Sequence, residues 1–148
     1  MIKRGKIHLS ILLGILIVLV IAIGGYVGMQ GSSSVVERVY IESMQRQDYE
    51  GAFRTIDAQN FLLNGRHTTR TQFIQEAQAV DSQEGRITSV REINVRTDPV
   101  NSERTITYIV SREQRSYPVQ LLLKISNGTF LTPLFDSYPY RIVSVSQL

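Results

Sequence analysis

Residues 43–59 read SMQRQDYEGAFRTIDAQ, and the way this stretch is parsed decides the fold. Val36, Tyr40 and Met44 repeat every four positions on the approach, and Tyr49, Ala52, Phe53 and Ile56 form a second apolar stripe beyond. A single helix would carry both stripes on one face, since helical neighbours recur at three and four residues. Here the step from Met44 to Tyr49 breaks that register, and it holds the polar knot Gln45-Arg46-Gln47-Asp48. The pattern therefore predicts two short helices around a polar corner. The first runs over 35–47, with Ser34 as N-cap and Glu37 completing a capping box. The second runs from 49 to about 58, with Asp48 as N-cap and Glu50 favouring the dipole in its first turn.

Working outward, residues 60–67 read as a loop or short extended piece with Asn64-Gly65 as its turn. Thr69 and Gln72 form a second capping box. Behind it Phe73, Ala77 and Val80 give a third helical stripe, stopped by Gly85. The period then changes. Residues 86–96 are rich in β-branched types, and Val90 and Ile93 fall out of phase, which predicts a bulge near Arg91-Glu92. Asp98-Pro99 is a turn. Over 104–112, Ile106, Tyr108 and Val110 alternate with threonine and serine, and Val119, Leu121, Leu123 and Ile125 alternate in a third strand ending at Asn127-Gly128. Pro133 and Pro139 break the next segment, and 140–147 closes the chain as a last strand. Helices first and then an antiparallel sheet of about four strands make an α+β domain.

The N-terminal part obeys a different rule. Residues 1–8 form a basic tail with Lys3, Arg4 and Lys6, and 9–29 contain no charge at all. At 1.5 Å rise such a segment spans roughly 30 Å, one bilayer core. It reads as a single transmembrane helix anchored in the lipid bilayer, oriented by the three basic residues with its N-terminus in the cytoplasm. A cleaved signal peptide is the competing reading, with Ala22-Ile23-Gly24 as a small-x-small site and cleavage after Gly24. Both place the remainder outside the cytoplasm: a flexible linker at 30–34 and one domain at 35–148. The tail carries the whole of the formal +3, because the other basic residues of the total of 16 balance the 13 acidic ones. No basic stripe sits on one element, so nucleic acid is not an expected partner. The absence of cysteine excludes disulfides and thiolate metal sites.

The order of elements resembles the nuclear transport factor 2-like superfamily. Asp48-Tyr49-Glu50-Gly51-Ala52-Phe53 is similar to its recurring second helix. Thr71-Gln72-Phe73 followed by Gly85-Arg86-Ile87 is similar to its third helix and first long strand, and Tyr140-Arg141-Ile142 to its final strand. The resemblance covers nearly the whole of 35–148. It departs at 130–139, longer than a plain hairpin. It implies a curved sheet that wraps the helices into a cone with a pocket at the wide end. It also brings in two kinds of relative: isomerases and dehydratases that use Asp, Tyr and His in the cone, and inner-membrane scaffold proteins of conjugation and secretion machines.

Candidate pocket residues are Tyr40, Phe53, Tyr108 and Tyr117. His67 is the lone histidine beyond the span and reads as a surface residue in a polar loop. Asp57 and Asp81 lie near helix C-termini, an unfavourable place for an acid by dipole, which hints at local partners, but solvated helix ends are the preferred reading. No two of these residues lie at a spacing that forces them together, and one histidine with scattered carboxylates matches no metal-ligand pattern. No cofactor and no catalytic residue are expected. Three functions follow in order of preference: a membrane-tethered, non-catalytic binding module for a small apolar ligand; a structural component of a membrane assembly with a membrane protein partner; and an isomerase or dehydratase.

Overall fold

A computed structural model describes residues 33–125 and 140–148. The basic tail, the expected span 9–29, the start of the linker and the proline-broken segment lie outside the described residues. Among the described residues no helix is long and apolar enough to cross a membrane.

The polar corner is real. Helix α1 (Ser33–Gln45) buries Val36, Glu37 and Tyr40. It closes in a Schellman motif: Asp48 N–H bonds Ser43 O at 2.9 Å and Gln47 N–H bonds Met44 O at 3.1 Å. Gln47 takes the left-handed conformation that this motif requires, with φ 61°. Helix α2 (Tyr49–Phe53) follows at once, with the Asp48 carboxylate accepting from Gly51 N–H at 2.9 Å. Two expectations need correction. Ser34 is not an N-cap but already helical, and the Glu37 carboxylate bonds the Tyr108 hydroxyl rather than its own helix end. The second helix stops at Phe53, not near Ala58. Sheet pairing captures the chain there: Ile56 bridges Ile142, Ile142 N–H bonds Thr55 O, and Asp57 N–H bonds Ile142 O.

Residues 60–67 hold a two-residue hairpin, β1 (Leu62–Leu63) and β2 (Arg66–His67). Its turn residues Asn64 and Gly65 have φ 50° and 76°, the double positive φ of a type I′ turn. Helix α3 (Arg70–Glu84) begins with the expected Thr69–Gln72 capping box and ends at Gly85, whose φ is 80°. Three long strands follow, β3 (Ile87–Asp98), β4 (Glu103–Arg112) and β5 (Ser116–Ile125), and β6 (Tyr140–Gln147) completes the described chain.

The sheet is mixed and has six strands in the order β2-β1-β6-β5-β4-β3, not the purely antiparallel four expected. The difference comes from the hairpin: β1 lies parallel to β6, with Leu62 opposite Ser144. Two residues per strand give almost no alternation to read. The expected bulge is present as register shifts between Glu92 and Asn94 and between Ile87 and Ser89. Such bulges bend a strand and increase its twist, and the sheet curves around the helices. Between helices and sheet lies the core, with Val36, Tyr40, Tyr49, Ala52, Phe53 and Ile56 of the two stripes all buried. Phe53, Phe61 and Phe73 meet at its centre, with ring centroids 5.7–6.5 Å apart.

Candidate functional site

The cone is not filled. A cavity of about 160 Å³ lies between α1, α3 and the concave face of the sheet. Tyr40 and Met44 of α1, Phe73 and Val80 of α3, and Tyr108, Tyr117 and Val119 of the sheet contribute to its wall. Three of the four sequence-predicted pocket residues, Tyr40, Tyr108 and Tyr117, thus come together. Phe53 does not line the cavity; it sits in the aromatic centre against Phe61 and Phe73.

The three tyrosines differ in what their hydroxyls do. Tyr108 donates to the Glu37 carboxylate, outside the cavity wall. Tyr117 accepts from Arg112 Nε at 2.6 Å, which leaves its own proton unspent among the described residues. Tyr40 is 7 % exposed and its hydroxyl has no hydrogen-bond partner among the described residues. Burial pushes the ionisation of Tyr40 well above the usual phenol range, Tyr117 adds to this and Arg112 opposes it. The Tyr40 hydroxyl is therefore a protonated donor at any physiological pH.

Arg112 is the cationic member of the described wall. Its Nη1 donates to Asp81 Oδ1 at 2.5 Å and to Gly85 O at 2.8 Å, and Glu84 Oε2 lies 3.8 Å from its Nε. Asp81 also accepts from Tyr49 Oη at 2.5 Å and from Gln47 Nε2 at 2.9 Å. Burial would raise the Asp81 carboxyl, but the bonds from Tyr49, Arg112 and Gln47 outweigh it and hold it below its usual range. Tyr49 is pushed up to about 12, by burial first and then by its bond to Asp81. Every charge here is matched in place.

A second polar cluster flanks the first turns of α1. Arg104 bonds Ser33 Oγ at 3.0 Å and approaches Glu37 Oε2 to 3.6 Å. Burial raises the Glu37 carboxyl, Arg104 opposes this and nearby Glu92 reinforces it.

The remaining sequence candidates fall elsewhere. His67 is exposed on β2, its Nε2 3.0 Å from Gln59 O. Asp57 closes a turn, accepting from Gln59 N–H at 3.1 Å and Asn60 Nδ2 at 3.1 Å. Among the described residues no group of His, Cys, Asp and Glu is placed to hold a metal ion. Sequence reasoning missed Arg112 and Glu37 and took Asp81 for a solvated end. The signal for Arg112 was present, because the inward alternation Ile106, Tyr108, Val110 continues to it.

Neither protein-family models nor curated protein sequences match the chain. Solved structures do. A de novo designed protein with a curved β-sheet superposes with a TM-score of 0.53 and 14% identity, over 78% of this chain and 98% of the designed one. An NTF2-like protein of unknown function from Cytophaga hutchinsonii gives 0.51 and 10% identity, over 80% of this chain and 89% of that one. Another NTF2-like protein from the same organism gives 0.51 and 10% identity, over 76% and 90% of the two chains. At such identities the likeness speaks for the fold alone. By its three helices, its six-stranded curved sheet and these neighbours, the described part of the chain has the nuclear transport factor 2-like fold.

Proposed function

We propose that the chain is a membrane-tethered binding module that holds a small apolar ligand in its cone, outside the cytoplasm, and does not transform it. The observation that carries this reading is the cavity itself, about 160 Å³ between the helices and the sheet. Interiors are normally close-packed, and a void of roughly 150 Å³ lined by apolar side chains is enough to take a benzene ring. The non-catalytic part rests on the bonding in the wall. Asp81, the acid nearest the cavity's cation, is engaged by Arg112, Tyr49 and Gln47, which hold it ionised, and it does not line the cavity. Tethering and topology rest on the uncharged run 9–29 behind Lys3, Arg4 and Lys6.

A structural role in a membrane assembly is the second reading. It is favoured by β3, an edge strand of the sheet with Ile93 and Val95 exposed at 50% and 38%. Native mass spectrometry of the protein extracted from its own membranes tests both. A mass excess of one small molecule per chain is expected. A bare chain bound to a second protein would replace the first reading with the second.

A further inference from the structure

We infer that the cone selects a neutral, ring-sized ligand carrying a carbonyl oxygen, which accepts hydrogen bonds from the hydroxyls of Tyr40 and Tyr117. This rests on the ligand-binding reading above and specifies what that site recognises.

A tyrosine hydroxyl carries one proton to give. Tyr108 has given its proton to Glu37, while Tyr40 and Tyr117 have given theirs to no described residue. Tyr117 already accepts from Arg112 Nε at 2.6 Å. A donor that itself receives a bond from a cation is polarised and becomes the stronger donor. Both rings line the same cavity, and the Tyr117 phenol helps raise the ionisation of Tyr40. The site therefore offers these two hydroxyl donors to whatever occupies the cavity. A ligand atom with two lone pairs satisfies both, and a carbonyl oxygen has them.

Charge decides against an anion. Arg112 is the one cation in the wall among the described residues, and its guanidinium is held by Asp81 and faced by Glu84. Glu76 and Glu84 line the cavity as well, paired with Arg66 and Arg115, so among the described residues no cation is left over for a carboxylate ligand. Asn64 and Gln147 add two amide side chains, and most of the rest of the described wall is apolar, with Met44, Phe73, Val80 and Val119. Size sets the remaining limit, since about 160 Å³ matches a single ring with a small substituent.

The test compares three probes of nearly equal shape: acetophenone, ethylbenzene and benzoate. Binding of each to the full chain in lipid nanodiscs is measured by calorimetry, with empty nanodiscs as blank. Acetophenone is expected to bind at least about tenfold more tightly than ethylbenzene, the worth of one or two hydrogen bonds. Benzoate is expected to bind most weakly. In Tyr40→Phe/Tyr117→Phe the preference for acetophenone over ethylbenzene should fall to about onefold, while ethylbenzene itself binds as before. Equal binding of acetophenone and ethylbenzene by the unaltered chain, or tighter binding of benzoate, overturns the carbonyl inference and leaves the ligand-binding reading standing. No binding of any probe overturns both. The comparison of probes on the unaltered chain holds whether or not the double variant folds.

Discussion

Arg112 of β4 and Asp81 of α3 form an ion pair across the cone, with Nη1 2.5 Å from Oδ1 and side chains only 4% and 6% exposed. The pair ties the last turns of α3 to the sheet behind the cavity. Burial of the two charges is tolerable only because each also bonds neutral partners: Tyr117 and Gly85 for Arg112, Tyr49 and Gln47 for Asp81.

Removing one partner should be worse than removing both. Asp81→Asn leaves the guanidinium buried without its carboxylate and should cost about 3–5 kcal/mol in urea melts of residues 31–148. Asp81→Leu/Arg112→Met should cost less than the sum of the single changes. The loss should also depend on pH. The folded carboxyl titrates below its ordinary 3.8. Its contribution is therefore complete above that value and fades as pH falls through the lower folded one. The gap between Asp81→Asn and the unaltered domain should shrink correspondingly in acid.

Glu37 should behave with the opposite sign. Its carboxyl titrates above the ordinary 4.5, so the fold favours the protonated form. Stability from this group is present below 4.5 and is lost as pH rises through the folded value. Glu37→Gln keeps an acceptor for Tyr108 and does not ionise. Melts at about pH 4 and pH 7 should show the difference moving in favour of the glutamine variant at the higher pH. Movement the other way would mean that the attraction of Arg104 outweighs burial.

The corner makes Gly51 an unusual helix glycine. A Cβ there would lie 2.2 Å from Asp48 Oδ2, inside the capping carboxylate. Asp48→Ala should cost about 1 kcal/mol by loss of the cap. Gly51→Ala normally gains up to about 1 kcal/mol in a helix interior, but here it should destabilise. In the Asp48→Ala background the same change should turn neutral or favourable, a sign reversal that a double-mutant cycle in urea reads directly.

Topology has its own test. Protease added to intact cells should remove the folded domain and leave a small membrane-bound fragment. Glutamate in place of Lys3, Arg4 and Lys6 should impair or scramble that orientation. A mature N-terminus at Gly25 would establish cleavage in place of anchoring.

Most of the architecture was legible because it rests on local signals. The skipped register between Met44 and Tyr49, the Thr69–Gln72 box, the Gly85 stop and the strands β4 and β5 each appear where expected. What escaped depends on distant partners. Residues 54–58 have a helical pattern, yet β6 takes their backbone for sheet pairing. The strands β1 and β2 are too short to carry a period. Among the site residues, the tyrosines were visible as inward members of stripes. Asp81 reads as solvated until the fold places Arg112 opposite it, and no spacing within α3 reveals that.

The place of β6 has a consequence for synthesis. It is the last described element made, yet it lies inside the sheet between β1 and β5. Its partners Leu62 and Leu63 are translated roughly eighty residues earlier than Ser144 and Val145. Thr55, Ile56 and Asp57 wait for Ile142 in the same way. Such non-local pairing delays closure until the entropy of a long loop has been overcome. A nascent chain halted before residue 140 would therefore present the floor of the cone, Leu121 and Leu123 included, to any chaperone at the ribosome or translocon. Force measured on the nascent chain should accordingly rise only after 140–147 have emerged, in a single late step.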